Sequence, residues 1–199
     1  MAKNTRWIFA IGILIGIALV VAWGLPKLRP HTFYGTVLQS PDKAPDFALD
    51  SVLGEISLED FKGKIVMLYF GYTFCPDVCP ATLAEVSTAL NLLGKDAEDV
   101  QFIMISVDPL RDTPEKLDEY VTHFNSSFLG VTGSEDEIAT VATLYGVFYE
   151  KHEGTEATGY LVDHTATVMV IDADGHLKLI FPFGAPGANI AEDIAYLLK

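Results

Sequence analysis

The sequence predicts an α/β domain with a mixed central sheet flanked by helices, preceded by an apolar segment of membrane length. Three observations carry this. Continuous apolar runs at 65–70, 102–107 and 167–171 have the length and composition of strands buried on both faces. Segments of helical period separate these runs. The third run is followed by a turn, a returning strand and a closing helix. Strands alternating with helices and ending in a hairpin and a helix stack as α/β layers.

From the N-terminus, residues 1–6 form a short tail containing Lys3 and Arg6. Residues 7–25, from Trp7 to Leu25, carry no charge and are long enough to cross a bilayer as one helix. Trp7 and Trp23 lie near its ends, where indoles favour the headgroup layer. A cleaved signal peptide competes with this reading, but the run is long for one and Val21-Ala22-Trp23 ends in a bulky residue. The expectation is one uncleaved transmembrane helix, with the tail in the cytoplasm and the domain across the membrane. Residues 26–43 contain Pro26, Pro30 and Pro41 and read as a linker. Residues 44–199 suffice for one domain with its own core.

Within that domain, weak alternation around Asp50–Gly54 suggests an N-terminal hairpin before the main fold. Ala81 to Leu93 places Leu83, Val86, Leu90 and Leu93 on one helical face. Thr113 and Pro114 read as N-cap and first residue of a second helix. Ser134 to Glu137 is a capping box leading into Ile138, Val141 and Ala142. Glu150 to Gly159 reads as a charged, exposed loop. Asp172-Ala173-Asp174-Gly175 is a turn, Leu177 to Phe181 returns antiparallel, and Gly187 to Leu198 closes as a helix.

All 27 acidic residues lie in 41–199 against nine of the 13 basic ones, a formal charge of −18. That balance opposes binding to nucleic acid or anionic lipid.

The chain has two cysteines, Cys75 and Cys79, in Gly71-Tyr72-Thr73-Phe74-Cys75-Pro76-Asp77-Val78-Cys79-Pro80. This run joins the first core strand to the first helix. With Pro80 at the first helical position, Cys79 becomes the N-cap and Cys75 sits in the loop before it. A helix N-terminus favours thiolate over thiol. Asp77, between the sulfurs, opposes thiolate formation but favours a nearby cation. A structural disulfide would close a loop too short to constrain the unfolded chain much. Disulfide exchange and soft-metal binding remain. Zinc wants four ligands, whereas Cu(I) accepts two or three. The candidate imidazoles are His31, His123, His152, His164 and His176. His164 precedes the third apolar run. Its loop faces the cysteine loop if the two strands pair antiparallel. From position alone, a structural histidine and a ligand are equally consistent.

The cysteine run, Ile105-Ser-Val-Asp-Pro-Leu-Arg-Asp-Thr-Pro-Glu115 and Val162-Asp-His-Thr-Ala166 together resemble the signature segments of the Sco/SenC family. These are membrane-tethered, thioredoxin-like copper proteins that help assemble cytochrome c oxidase. The resemblance spans roughly 44–198. It implies a thioredoxin-like fold and a copper site made of Cys75, Cys79 and His164, with Asp77 and Asp163 as possible outer-shell groups. It implies a metallochaperone rather than an enzyme in the strict sense. The recipient would be the copper site of oxidase subunit II, fed by an upstream periplasmic copper donor. It also implies a single-pass protein of the bacterial inner membrane with its domain in the periplasm. No Arg-rich transit peptide precedes the anchor, which favours a bacterial over a mitochondrial address. Thioredoxin-like reductases usually carry C-x-x-C and a cis-proline before the opposing strand. This chain has the longer spacing, and His164 stands in that neighbourhood. The alternative of another class is a membrane-anchored thiol–disulfide oxidoreductase that uses Cys75 and Cys79 to reduce the recipient's cysteines. Asp108 to Glu115 reads as a strand-to-helix turn with Arg111 pairing locally, and carries no assigned chemistry.

Overall fold

The computed structural model describes residues 12–16, 31–39, 42–155 and 159–199. The chain divides into two units, residues 1–32 and 33–199. In the first unit, residues 12–16 are helical. The tail expected at 1–6, the rest of the anchor expected over 7–25, and residues 26–30, 40 and 41 of the linker lie outside the described residues. Among the described residues, no helix is long and apolar enough to cross a membrane.

The second unit is built on a six-stranded mixed sheet. Its strands are β1 (Thr36–Val37), β4 (Ile65–Gly71), β5 (Val100–Ser106), β6 (Leu129–Val131), β9 (Thr167–Ile171) and β10 (Leu177–Pro182), in the order β1-β10-β9-β4-β5-β6. Two hairpins stand apart from it: β2 (Ala48–Ser51) with β3 (Gly54–Ser57), and β7 (Tyr149–Glu153) with β8 (Tyr160–His164). The helices are α1 (Val78–Leu93), α2 (Pro114–Phe124), α3 (Glu135–Leu144) and α4 (Gly187–Leu197).

All seven residues of β4 are buried, which is why its sequence is apolar without alternation. β5 lies parallel to β4 across the crossover helix α1, and β6 lies parallel to β5 across α2. On its other side, β4 pairs antiparallel with β9, from Val66↔Ile171 to Tyr69↔Val168. The end where β4 leaves the sheet is therefore the end where β9 enters it. This one pairing brings the cysteine loop and the His164 segment together.

β1, within the stretch read as linker, pairs with β10. The expected N-terminal hairpin reaches β6 through backbone hydrogen bonds in both directions between Asp50 and Thr132. The cap signals hold: Thr113 accepts from the Lys116 N–H, and Ser134 with Glu137 forms the capping box. α4 packs closely on α1, where Gly187 leaves no room for a Cβ. An added one would stand 2.5 Å from the Glu85 carbonyl oxygen.

Two expectations need correction. Residues 150–153, read as part of an exposed loop, belong to β7. Its Tyr-Glu-Lys-His-Glu sequence leaves no buried face, so no alternation marks it as a strand. And α1 begins at Val78 with Asp77 as N-cap, so Cys79 is helical and Pro80 is the third helical residue. Proline is tolerated there because first-turn N–H groups have no intrahelical partner.

Candidate metal centre

The helical placement of Cys79 decides what each sulfur meets. The Asp77 side chain makes no cap hydrogen bond. Instead the Cys79 N–H, in the first turn of α1, points at the Cys75 sulfur, 3.5 Å away. The Cys75 sulfur thus takes the acceptor position that a capping oxygen would hold. Cys79 turns its own side chain inward and is fully buried, while Cys75 stays partly exposed. Both are free thiols.

His164 is the last residue of β8. Its Nε2 lies 3.4 Å from the Cys79 sulfur. Its Nδ1 lies 3.3 Å from the Thr165 carbonyl oxygen, an acceptor that a proton on Nδ1 would satisfy. Nε2 is the ring nitrogen that faces the sulfurs, and in the Nδ1-protonated tautomer it is the one able to ligate. The rings of Tyr69 and Tyr72 stand edge-on to the imidazole, each at 5.9 Å between centroids. The two sulfurs and a ring nitrogen of His164 lie within 4.8 Å of one another, and no other such group of His, Cys, Asp or Glu was found among the described residues. An open cleft of about 290 Å³, lined by Tyr72, Cys75, Asp77, Val162 and His164, gives access.

The electrostatics separate the two thiols. Cys75 is held well below the ordinary thiol value, first by the Cys79 S–H directed at it, then by His164 and by the backbone N–H groups of Asp77 and Cys79; burial works the other way. Cys79 is pushed up, first as the partner that keeps its proton against Cys75, then by burial. The pair therefore shares one proton, with Cys75 ionising first.

The other sequence candidates do not join this group. The Asp77 side chain is exposed beside the cleft. The exposed Asp163 carboxylate lies 3.1 Å from His152 Nε2 on the outside of the β7–β8 hairpin. His123 is exposed in the last turn of α2 against Phe124. His176 lies 3.6 Å from Asp172 in the β9–β10 turn.

Sequence reasoning missed the brace behind the site. Asp108 and Asp112 follow β5 and are fully buried. Asp112 accepts from the Ser106 hydroxyl at 2.7 Å, the Thr73 N–H at 3.0 Å and the Thr73 hydroxyl at 2.6 Å, which anchors the loop two residues before Cys75. Asp108 accepts from Arg111, the local pair the sequence suggests, and from the Tyr160 hydroxyl at 2.5 Å. Arg111 also donates to the Tyr160 carbonyl at 2.9 Å and stacks its guanidinium 3.7 Å from that ring's centre. Burial and the Asp108 carboxylate push the Tyr160 phenol up to about 12. Tyr72 accepts from the Val162 N–H at 3.2 Å. The cysteine loop and the strand bearing His164 are thus fastened to one another and to the end of β5. A cluster of acids directly after an apolar strand was the available signal.

Fold and site together define a mixed α/β domain that holds two thiols and one imidazole at the mouth of a cleft, a donor set suited to a soft ion. The chain belongs to the SCO1/SenC family, whose model matches residues 36–199. It is 38% identical over 186 residues to the SCO2-like protein RC0895 of Rickettsia conorii, covering 90% of each chain. Apo Sco1 from Thermus thermophilus superposes with a TM-score of 0.76 at 42% identity, over 84% of this chain and 98% of that one. The structure of Bradyrhizobium japonicum ScoI with copper bound gives a TM-score of 0.71 at 38% identity, over 78% and 99%.

Proposed function

We propose that this protein is a thioredoxin-like copper metallochaperone that carries one copper ion on Cys75, Cys79 and His164. It would deliver that ion during assembly of the copper site of cytochrome c oxidase subunit II. The observation that carries the reading is the convergence of two sulfurs and one imidazole nitrogen within 4.8 Å. Two thiolates and an imidazole suit Cu(I) in three-fold coordination, and the cleft leaves space for an added oxygen ligand on Cu(II). Zinc would require a fourth ligand. The unlike surroundings of the sulfurs suit a hand-off. Partly exposed Cys75 is the sulfur that an incoming thiol can displace first, and the buried Cys79 sulfur lets go later. No bond of a substrate is broken, so the cargo is passed by ligand exchange. We place the domain in the periplasm, tethered by residues 7–25 to the inner membrane of a bacterium and loaded there by an upstream copper donor.

A second reading is favoured by the low-lying Cys75 thiol beside a protonated Cys79. That arrangement also suits a thiol–disulfide oxidoreductase, with Cys75 attacking and Cys79 resolving. His164→Ala separates the readings. Loaded anaerobically, the reduced full-length chain should bind one copper with two sulfurs and one nitrogen by X-ray absorption. His164→Ala should lose Cu(II) affinity and hold Cu(I) more weakly, while its disulfide still forms. Unchanged copper binding in that variant would reject the ligand assignment and leave the oxidoreductase.

A further inference from the structure

The ion pair with Asp108 does not account for the pose of Arg111. The guanidinium carbon stands 3.7 Å from the Tyr160 ring centre, 5.0 Å from that of Phe74 and 5.8 Å from that of Tyr72. Nη1 donates to the Tyr160 carbonyl at 2.9 Å, while Nη2 is buried with no hydrogen-bond partner among the described residues. A buried donor left unpaired is costly, so packing among the rings, rather than hydrogen bonding, sets this pose. Two of the rings, Tyr72 and Phe74, flank Thr73 in the cysteine loop, and Phe74 directly precedes Cys75. The third belongs to the first residue of β8, the strand that ends in His164. β8 has no place in the six-stranded sheet; with β7 it forms a sheet of its own. Its position against the cysteine loop is therefore not set by the ladder of the main sheet. Tyr160, Val162 and His164 alternate onto one face of the strand, so a shift at Tyr160 is carried along it to the imidazole.

We infer that Arg111 is a positioning residue that sets the distance between His164 and the sulfur pair, acting through Tyr160 on one side and Phe74 on the other. A lysine could pair with Asp108. It has neither the plane that stacks between rings nor the fork that reaches both Asp108 and the Tyr160 carbonyl. Cys75 and Cys79 are held by their own loop and helix, with the Cys79 N–H directed at the Cys75 sulfur. The joint at Arg111 therefore governs the third donor and leaves the first two in place. Outer groups of this kind orient a ligand and set how well it serves the metal. The copper part of this inference rests on the proposed function; the effect on β8 does not.

Arg111→Lys and Tyr160→Leu in the full-length chain test it. The second leaves the Asp108–Arg111 pair in place and so separates the joint from the ion pair. In the reduced, copper-free protein, amide hydrogen exchange at Val162 and His164 should quicken in both variants. In the Cu(II)-loaded protein the imidazole nitrogen coupling in the electron spin resonance spectrum should weaken, and affinity for Cu(II) should fall about tenfold. Cu(I) should still bind through two sulfurs. Tyr160→Phe keeps the ring and the carbonyl contact and should stay close to the wild type. A purely structural role would lower the urea midpoint and leave the nitrogen coupling of the folded molecules as it was. Unaltered coupling, with unaltered exchange at Val162 and His164, would overturn the inference and leave Arg111 as the partner of Asp108 alone. Failure of the wild-type chain to take up copper would sink the proposed function instead, and the exchange rates would then decide for or against Arg111.

Discussion

Cys75 and Cys79 are four residues apart and chemically unlike, because one sulfur faces the cleft and the other the core. Their opposite displacements from the ordinary thiol value of 9.0 set a signed pH dependence. Cys75 is depressed in the folded state, so it contributes stability that is fully present above its unfolded value and is lost as pH falls toward its folded one. Cys79 is raised, so the unfolded chain ionises first above pH 9 and stability falls there. The thiol contribution to the stability of the reduced protein should therefore climb from acid to about pH 9 and decline beyond it. Urea midpoints measured against a Cys75→Ser, Cys79→Ser double variant across pH should give this hump. A flat difference would mean that the sulfurs do not share a proton. The same asymmetry makes Cys75 the sulfur that iodoacetamide labels first.

The elements explain how residues 85 positions apart come to one place. β4 and β9 pair antiparallel, so the loop leaving one and the segment entering the other share an end of the sheet. The brace from Asp108, Arg111 and Asp112 then fixes both segments. Asp112→Ala should cost about 3 kcal/mol, because it strands the buried Ser106 hydroxyl and the Thr73 N–H without an acceptor. The urea midpoint gives that cost, and faster hydrogen exchange at the Thr73 amide locates it; a surface-like loss under 0.5 kcal/mol would argue against the brace. The sequence shows the apolar runs of β4, β5 and β9 plainly, because strands buried on both faces lose their alternation. It shows the caps at Thr113 and Ser134 because capping is a local, side-chain-to-backbone event. It hides β7, whose exposed charged residues report no burial, and the three-residue β6. It also misleads at Cys79, where the local preference of a residue before proline for extended backbone is overridden. The contacts that override it, Cys79 N–H to the Cys75 sulfur and Cys79 sulfur to His164, belong to the loop and the distant hairpin. The cysteine pair was legible from spacing. From the residues alone His164 was a candidate only if a strand pairing that a sequence does not state came about; the resemblance carried by Val162 to Ala166 is what singled it out. The brace was misread because its acids, though they follow an apolar strand directly, resemble an ordinary turn until the fold buries them.

At the scale of the molecule, the ligand set is split between a local pair and a distant third. Cys75 and Cys79 stay close in any conformation of the chain, whereas His164 joins them only when β9 docks on β4. The folded state should therefore hold copper better than the unfolded one by the contribution of His164 and of the buried surroundings it completes. A ligand that binds the native state alone stabilises it by about 2.7 kcal/mol at a hundredfold excess over its dissociation constant. Here the gain should be smaller, since the unfolded chain keeps a two-sulfur site of its own. His164→Ala removes the part of the site that unfolding would have lost. Denaturation of wild-type and His164→Ala chains, reduced and in chelator-buffered Cu(I), is the measurement. Copper should raise the wild-type midpoint clearly and the variant midpoint little, and stripping the ion with excess chelator should return the wild type to its metal-free value. Equal copper-induced shifts in the two chains would mean that the third ligand comes from elsewhere. The topology that joins the two loops would then have no part in holding the ion.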